Sequence, residues 1–162
     1  MTYTVPSQTH IGHVHLRVAD LEQSLAFYQD ILGFEVTQRY GRDAVFLSAG
    51  GYHHHIGLNT WNSKQMPKAS KTGVGLYHHA IVYPTRYDLA VIFQRLLDLK
   101  YPLTGAADHG VSEAIYLDDP DGNGVELYWD RPKEEWPSDE EGNLKMITEQ
   151  LDYHSLLSEL KR

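Results

Sequence analysis

The chain repeats one order of predicted secondary-structure elements, and this repetition constrains its fold more than any other feature. Residues 11–18 alternate apolar and polar side chains, as a half-buried strand does. Asp20 follows as the predicted cap of an amphipathic helix that ends at Gly33. Further strands are predicted at 34–40, 44–48 and 53–59. The first part of the chain is therefore expected to be β-α-β-β-β.

After a polar segment at residues 60–75, the same order of elements begins again. A strand is predicted at 76–83, and Thr85 caps the next predicted helix. Three more strands are predicted at 103–105, 114–117 and 125–129. A repeat of about 60 residues is too long for a solenoid unit.

The repetition predicts an α+β fold made of two similar halves. We expect one domain at residues 9–131, with repeats at about 9–60 and 75–131. Residues 132–162 are expected to form a C-terminal tail. Its first part is acidic and is predicted to be extended, and a helix is predicted near 152–161. The residue pattern assigns no chemistry to this tail.

Composition excludes several classes of function. The formal net charge is −8 and no basic cluster offsets it, which argues against nucleic acid or an anionic membrane as partner. No apolar run approaches the roughly 18 residues of a membrane span. The first ten residues lack the features of a signal peptide, so we expect a cytoplasmic protein. Ten histidines and no cysteine favour imidazole and carboxylate chemistry over thiolate chemistry.

Glu126 is the most unusual residue of the pattern, because it places a carboxylate in the middle of an apolar predicted strand. A charge there requires a cation or a hydrogen-bond donor. His13 and His78 lie at equivalent positions early in the first strand of each repeat. Two imidazoles and one carboxylate form the facial triad of non-haem Fe(II) sites. The alternative is that the histidines are solvated or hydrogen-bonded and that Glu126 pairs with Arg17.

Two segments, HVHLRVADLEQSLAFYQDILGF and DPDGNGVEL, carry a resemblance to a known family. With the βαβββ duplication, they resemble the vicinal oxygen chelate superfamily: glyoxalase I, the bleomycin and fosfomycin resistance proteins, and the extradiol dioxygenases. The resemblance covers residues 9–131 and implies that His13, His78 and Glu126 are metal ligands. Glyoxalase I-like members supply a fourth ligand from the last strand of the first repeat. Here that position is Gly57, so a site with four protein ligands is not expected.

Within the superfamily, the spacing of His109, Tyr116, the Asp-Pro-x-Gly turn and Glu126 is similar to the signature of extradiol dioxygenases. The chain most resembles the catechol 2,3-dioxygenase-like proteins. This resemblance implies that His109 and Tyr116 form hydrogen bonds with substrate oxygens. It also implies a catalytic histidine three residues before Gly57, which is His54. Strand parity would instead select one of the two histidines that flank His54.

The same one-residue question applies to the second repeat, where His78 and His79 are adjacent. The repeat and the resemblance favour His78 as the ligand, and a structural role against the helix is expected for His79.

The predicted function is an Fe(II)-dependent extradiol dioxygenase that cleaves a catechol-type aromatic with O₂, with Mn(II) as the alternative metal. His54 would act as the base, and a homo-oligomer, most simply a dimer, is expected. One alternative is a glyoxalase-type lyase or isomerase that uses Ni or Zn. Another is a non-catalytic resistance protein that binds an aromatic drug.

Overall fold

The computed structural model describes residues 2–161, and the chain divides into two compact units, Met1–Pro67 and Lys68–Arg162. Each unit contains one four-stranded sheet and one main helical segment, so the predicted α+β class with two βαβββ repeats is confirmed. No helix within residues 2–161 is long and apolar enough to span a membrane.

The first unit contains four strands in the sheet order β1-β4-β3-β2. Strand β1 pairs in parallel with β4, and the other two pairings are antiparallel. The helix begins where the Asp20 side chain accepts a hydrogen bond from the Gln23 backbone N–H, and its second half widens into a π-helix. The elements are β1 (Val14–Arg17), α1 (Leu21–Leu25), the π-helix Ala26–Ile31, β2 (Glu35–Tyr40), β3 (Ala44–Ser48) and β4 (Ile56–Asn59).

The second unit repeats this arrangement with the order β5-β8-β7-β6 and again one parallel pair, β5 with β8. Thr85 caps its helix by accepting a hydrogen bond from the Asp88 backbone N–H. The elements are β5 (His79–Val82), α2 (Arg86–Asp98), β6 (Leu103–Asp108), β7 (Ser112–Asp118), β8 (Gly124–Asp130), the 3₁₀ turn Lys133–Glu135, α3 (Tyr153–Ser158) and the 3₁₀ turn Glu159–Lys161.

The duplication extends to an irregularity of the first hairpin in each unit. The register of β2 against β3 shifts between Val36 and Gln38, and the register of β6 against β7 shifts between Leu103 and Gly105. A shift at the same place in both sheets indicates corresponding β-bulges. The alternating strand residues behind them are fully buried in both units, and they form the apolar core on which each helix packs: Val45, Leu47, Ile56, Leu58, Ile115, Leu117, Val125 and Leu127.

The predicted boundaries differ from the structure at β1, β4 and β5, each of which begins three residues later than predicted, and in the C-terminal segment. His13 and His78 therefore lie just before β1 and β5, and not within them as expected. Strand β4 begins at Ile56, so the histidines at 53–55 lie in the loop before it. The acidic part of the tail is not simply extended. Asp139 accepts hydrogen bonds from the backbone N–H groups of Glu141 and Asn143, the same turn that Asp119 forms with Asn123. The predicted C-terminal helix is confirmed, and Asp152 caps it.

The C-terminal segment packs on the second unit by backbone pairing and by ion pairs. Asp108 and Glu149 exchange two backbone hydrogen bonds of 2.9 Å. Glu113 is almost fully buried and bonds to Arg86 at 2.8 Å and to Arg131 at 3.0 Å. Arg86 also bonds to Glu159, which follows α3. The tail is therefore fixed to the sheet through a buried carboxylate.

Candidate functional site

His78 and Glu126 lie side by side at one end of the parallel pair β5–β8. The His78 Nε2 atom is 3.0 Å from Glu126 Oε2, and the two side chains are 30% and 13% exposed. Gly124 allows this approach, because a Cβ there would lie 2.4 Å from the Tyr77 carbonyl oxygen and 3.1 Å from His78 Cβ. A glycine is therefore needed before Val125 for the His78 backbone to lie against β8.

Tyr116 connects Glu126 to His109. It is the cross-strand partner of Glu126 in β7–β8, and its hydroxyl oxygen is 3.1 Å from Glu126 Oε1 and 2.7 Å from His109 Nε2. Burial and the neighbouring Glu126 carboxylate raise the pKa of Tyr116 well above its ordinary value, so the hydroxyl stays protonated at neutral pH. A phenol carries one proton, and Tyr116 can therefore donate to only one of its two neighbours at a time.

His109 lies just after β6, in the turn that leads to β7. Its Nδ1 atom is 3.0 Å from the carbonyl oxygen of Ile147 and 3.3 Å from the Thr148 hydroxyl. The second unit therefore contains one row of polar groups in contact, in the order His78, Glu126, Tyr116, His109 and the Ile147 carbonyl.

His79 occupies a different environment from its neighbour. It is buried, and it lies opposite Val125 in the β5–β8 ladder. Burial lowers the pKa of His79, with nearby Asp119 acting in the opposite direction. The structure places His78, rather than His79, against the Glu126 carboxylate.

In the first unit, His54 lies beside His13. Their ring centroids are 4.3 Å apart, and His54 Nδ1 is 2.7 Å from His53 Nδ1. His55 turns away and contacts the Ser48 hydroxyl at 3.1 Å. Desolvation, followed by the neighbouring His13 ring, lowers the pKa of His54. Strand parity does not apply to His54, because all three histidines precede β4.

Gly57, which the resemblance implies is the fourth-ligand position, lies against the ring of His15. A Cβ at Gly57 would lie 3.0 Å from the Cγ and Cδ2 atoms of that ring. His15 Nε2 is also 3.0 Å from the Asn59 side-chain nitrogen, and the ring packs near Phe46 and Trp61. The His15 ring therefore fills the space that a side chain at position 57 would occupy.

The donor atoms of the second unit suit a divalent metal ion but do not complete a site. Two ligand atoms that each lie about 2.1 Å from a metal, at a right angle, are about 3 Å apart, which is the His78–Glu126 spacing. Imidazole nitrogen with carboxylate oxygen is a donor set typical of Fe, Mn, Ni and Zn. Within either unit, the described residues gather no group of three His, Asp or Glu side chains that could hold a metal. A further ligand is therefore required beside this pair.

Two contributors to the site are absent from the sequence prediction. Gly124 had a visible signal, because it is the second glycine of DPDGNG, although its close approach to His78 cannot be read from the turn. Ile147 acts through its backbone carbonyl, so its side chain gave no signal at all.

Comparison with known proteins agrees with the fold. The sequence matches the Glyoxalase/Bleomycin resistance protein/Dioxygenase superfamily over residues 10–127. The chain belongs to this superfamily, as the sequence resemblance predicted. A glyoxalase/dioxygenase from Nostoc punctiforme has the same fold, with a TM-score of 0.65 at 18% identity over 82% of this chain and 98% of that one.

Among curated relatives, the chain is 40% identical to a catechol-2,3-dioxygenase of Bacillus subtilis over 96% of its own length. It is 33% identical to a biphenyl-2,3-diol 1,2-dioxygenase of Rhodococcus globerulus over 74% of its length. A lactoylglutathione lyase of Neisseria meningitidis is 26% identical over 71% of this chain and 86% of the lyase. The chain spans 54% and 63% of the lengths of the two dioxygenases.

Proposed function

We propose that this protein is an extradiol ring-cleaving dioxygenase that opens a catechol-type aromatic with O₂. The observation that carries the proposal is the polar row in the second unit, in which His109 and Tyr116 continue from the His78–Glu126 pair. A metal pair alone is compatible with many reactions, whereas an added histidine and phenol can hydrogen-bond substrate oxygens. The two similar dioxygenases named above support the same reaction.

The proposed metal ligands are His78 and Glu126 of the second unit and His13 of the first. The metal is Fe(II), and a manganese-dependent 2,3-dihydroxybiphenyl 1,2-dioxygenase of Geobacillus, 28% identical, makes Mn(II) the alternative. When bound, such an ion supplies a Lewis acid and a redox-active template for the aromatic substrate and O₂. His13 would come from the same chain or from a second copy in a homodimer.

The remaining residues bind substrate and move protons. The lowered pKa of His54 keeps its ring neutral near neutral pH, so that it can accept a phenolic proton. The raised pKa of Tyr116 keeps its hydroxyl protonated, so that it can donate a hydrogen bond to a substrate oxygen. His109 lies 2.7 Å from that hydroxyl and would orient it.

The test is anaerobic purification, loading with Fe(II) or Mn(II), and measurement of O₂ uptake with a panel of catechols. We expect one O₂ consumed per ring opened, with a yellow semialdehyde as product. In His54→Ala, turnover should fall by about 10²–10⁴-fold. Full iron loading without O₂ uptake on any catechol would contradict the dioxygenase, and unchanged turnover in His54→Ala would contradict the role of that residue.

Glu126→Gln tests the metal site itself. The substitution preserves shape but removes the negative charge, and we expect the affinity for Fe(II) or Mn(II) to fall at least about 100-fold. Titration calorimetry under anaerobic conditions measures this directly. Glu140→Gln, an exposed carboxylate of the tail, is the matched control and should bind metal as the parent does. Equal affinity in the two variants would remove Glu126 from the ligand set.

A glyoxalase-type lyase or isomerase is the second candidate, since a lactoylglutathione lyase is among the relatives. It predicts Ni or Zn in the purified protein and turnover without O₂. Gly57 counts against it, because the His15 ring occupies the space where a fourth ligand would stand. The third candidate, a drug-binding resistance protein, would bind aromatic compounds equally well after the Glu126→Gln substitution.

A further inference from the structure

The C-terminal segment, defined as residues 136–151, makes reciprocal contacts with His109. The Ile147 backbone N–H donates to the His109 carbonyl oxygen at 3.1 Å, and the Ile147 carbonyl oxygen lies 3.0 Å from His109 Nδ1. On the other side of His109, Asp108 and Glu149 exchange two backbone hydrogen bonds of 2.9 Å. These four contacts fix the segment's backbone against the His109 backbone and ring.

The packing beside His109 leaves little room for this backbone to move. Gly110 has a φ of +75°, and a Cβ there would lie 2.8 Å from Pro137 Cγ and 3.1 Å from Ile147 Cγ1. The Lys145 backbone N–H also donates to the Pro137 carbonyl oxygen at 2.9 Å. The position of the Ile147 carbonyl is therefore set by close packing as well as by hydrogen bonds.

A carbonyl oxygen can only accept a hydrogen bond, so it selects the His109 tautomer that carries the proton on Nδ1. In a neutral ring, Nε2 then has a lone pair, and this lone pair faces the Tyr116 hydroxyl at 2.7 Å. The Thr148 hydroxyl also lies near this atom, 3.3 Å from Nδ1, and a hydroxyl can accept or donate.

We propose that the C-terminal segment is a positioning element of the active site, in which the Ile147 carbonyl holds His109 in the Nδ1–H tautomer and makes Nε2 an acceptor. Tyr116 then has two acceptors for its single proton, His109 and Glu126. With the opposite tautomer, Nε2–H would donate to Tyr116, and Tyr116 would donate to Glu126. The C-terminal segment therefore sets whether Tyr116 can donate its proton to His109 or accepts a hydrogen bond from it. The importance of the direction of this hydrogen bond for substrate rests on the proposed function, whereas the tautomer is a property of the chain itself.

The Nδ1–H tautomer limits the hydrogen bonds that neutral His109 can form in the site. As an acceptor at Nε2, it can take a hydrogen bond from Tyr116 or from a substrate hydroxyl, but it cannot donate one to a developing oxyanion. Of the two residues, only Tyr116 can then donate to a substrate oxygen, and it does so by giving up its hydrogen bond to His109 or Glu126. His109 and Tyr116 therefore have different roles, although the sequence signature treats them as a pair.

The test is a long-range ¹H–¹⁵N correlation spectrum of the full, metal-free chain labelled with ¹⁵N-histidine, at about pH 8, where an ordinary imidazole is neutral. A protonated ring nitrogen and one with a lone pair resonate far apart, and the His109→Gln variant assigns the signals. We expect His109 to carry its proton on Nδ1. A ring protonated on Nε2 would overturn the proposal.

Two glycine substitutions test whether the C-terminal segment sets the tautomer. Gly110→Ala forces the segment away, whereas Gly142→Ala imposes similar backbone strain, with a φ of +83°, in open space. We expect the ratio of tautomers to shift by about tenfold or more towards Nε2–H in Gly110→Ala only. An unchanged ratio in a folded Gly110→Ala protein would contradict the proposal.

Thr148→Val provides a second variant that is compatible with folding, because Thr148 is exposed. It removes the hydroxyl and preserves the Ile147 carbonyl, so the Nδ1–H tautomer should persist. A shift to Nε2–H in this variant would assign the tautomer to the Thr148 hydroxyl and overturn the role of Ile147. A chain with the expected tautomers but without O₂ uptake would retain this inference and contradict only the dioxygenase.

Discussion

The two units place side chains of opposite size at equivalent positions of the same parallel strand pair. In the first unit His15 pairs with Gly57, and in the second unit Ala80 pairs with Glu126. The larger residue is on the outer strand in one case and on the inner strand in the other. The backbone register is the same in both units. The His15 ring therefore fills the space in the first unit that the Glu126 carboxylate occupies in the second.

The neighbouring strand shows the same contrast. Phe46 pairs with Gly57, and Tyr116 pairs with Glu126, so the two aromatic residues are equivalent and differ by one hydroxyl. Phe46 packs near the rings of His15 and His54, whereas Tyr116 forms polar contacts. Duplication thus preserved the backbone, and single side chains decided which unit carries the polar row.

The hairpin that carries His109 has no full counterpart in the first unit. Tyr40 pairs with Ala44 across a turn of three residues, 41–43, whereas Ala107 pairs with Ala114 across six residues, 108–113. The three additional residues extend the hairpin at the place where the C-terminal segment contacts it. An extension of the repeat therefore created the binding place of the tail and the site of His109 together.

The largest effect is expected where the units differ in a buried charge. Glu113 is buried between two arginines, whereas its equivalent Asp43 is exposed. Glu113→Gln removes the charge that both guanidinium groups require, and we expect the free energy of unfolding to fall by about 3–5 kcal/mol. Asp43→Asn should change it by no more than about 0.5 kcal/mol. Urea denaturation measures the unfolding free energy of both variants. Equal losses would show that the buried charge of Glu113 does not distinguish the two units.

Because the His15 ring fills the space beside Gly57, we expect that removing the ring restores the stability lost when position 57 gains a side chain. Gly57→Ala places a Cβ 3.0 Å from the His15 ring, and we expect a loss of about 1–3 kcal/mol from overpacking. His15→Ala removes the ring, so the double variant should recover most of the Gly57→Ala loss. A double-mutant cycle by urea denaturation gives the coupling energy. Simple additivity would show that His15 and Gly57 do not share one space.

The hydroxyl that distinguishes Tyr116 from Phe46 should have a smaller effect on stability. Tyr116→Phe removes a group that contacts both His109 and Glu126, and we expect a loss of about 1 kcal/mol. Tyr77→Phe is the control, since that side chain is 89% exposed. Equal unfolding free energies for the two variants would show that the hydroxyl contributes no net stability to the second unit.

A last effect is confined to alkaline pH and comes from Tyr101, which stands where the first unit has a phenylalanine. Tyr101, equivalent to Phe34, donates to the Asp118 carbonyl oxygen, and burial raises its pKa to about 12. The unfolded chain loses this proton first, near pH 10, so stability falls as the pH rises from 10 to 12. One group contributes at most about 1.4 kcal/mol per pH unit. Tyr101→Phe should reduce this slope in denaturation experiments, and an unchanged slope would contradict the assignment.

Much of the fold could be predicted from the sequence because its signals are local. The two βαβββ halves follow from strand alternation, from the caps Asp20 and Thr85, and from the polar turn at 119–123. Both helix caps and the C-terminal helix occur where the pattern indicated. Local propensity could not predict that β4 begins only at Ile56, because its first residue is set by pairing with β1 and β3.

The sequence by itself determined the superfamily and supplied the candidate site residues, because both depend on spacing within short segments. Only the tertiary structure decided which atoms meet. It placed His78 and not His79 against Glu126, and it placed His54 beside His13. It also placed the Ile147 carbonyl at His109, a contact between residues 38 positions apart in the chain. A backbone carbonyl is common to all residues, so its role depends wholly on where folding puts it.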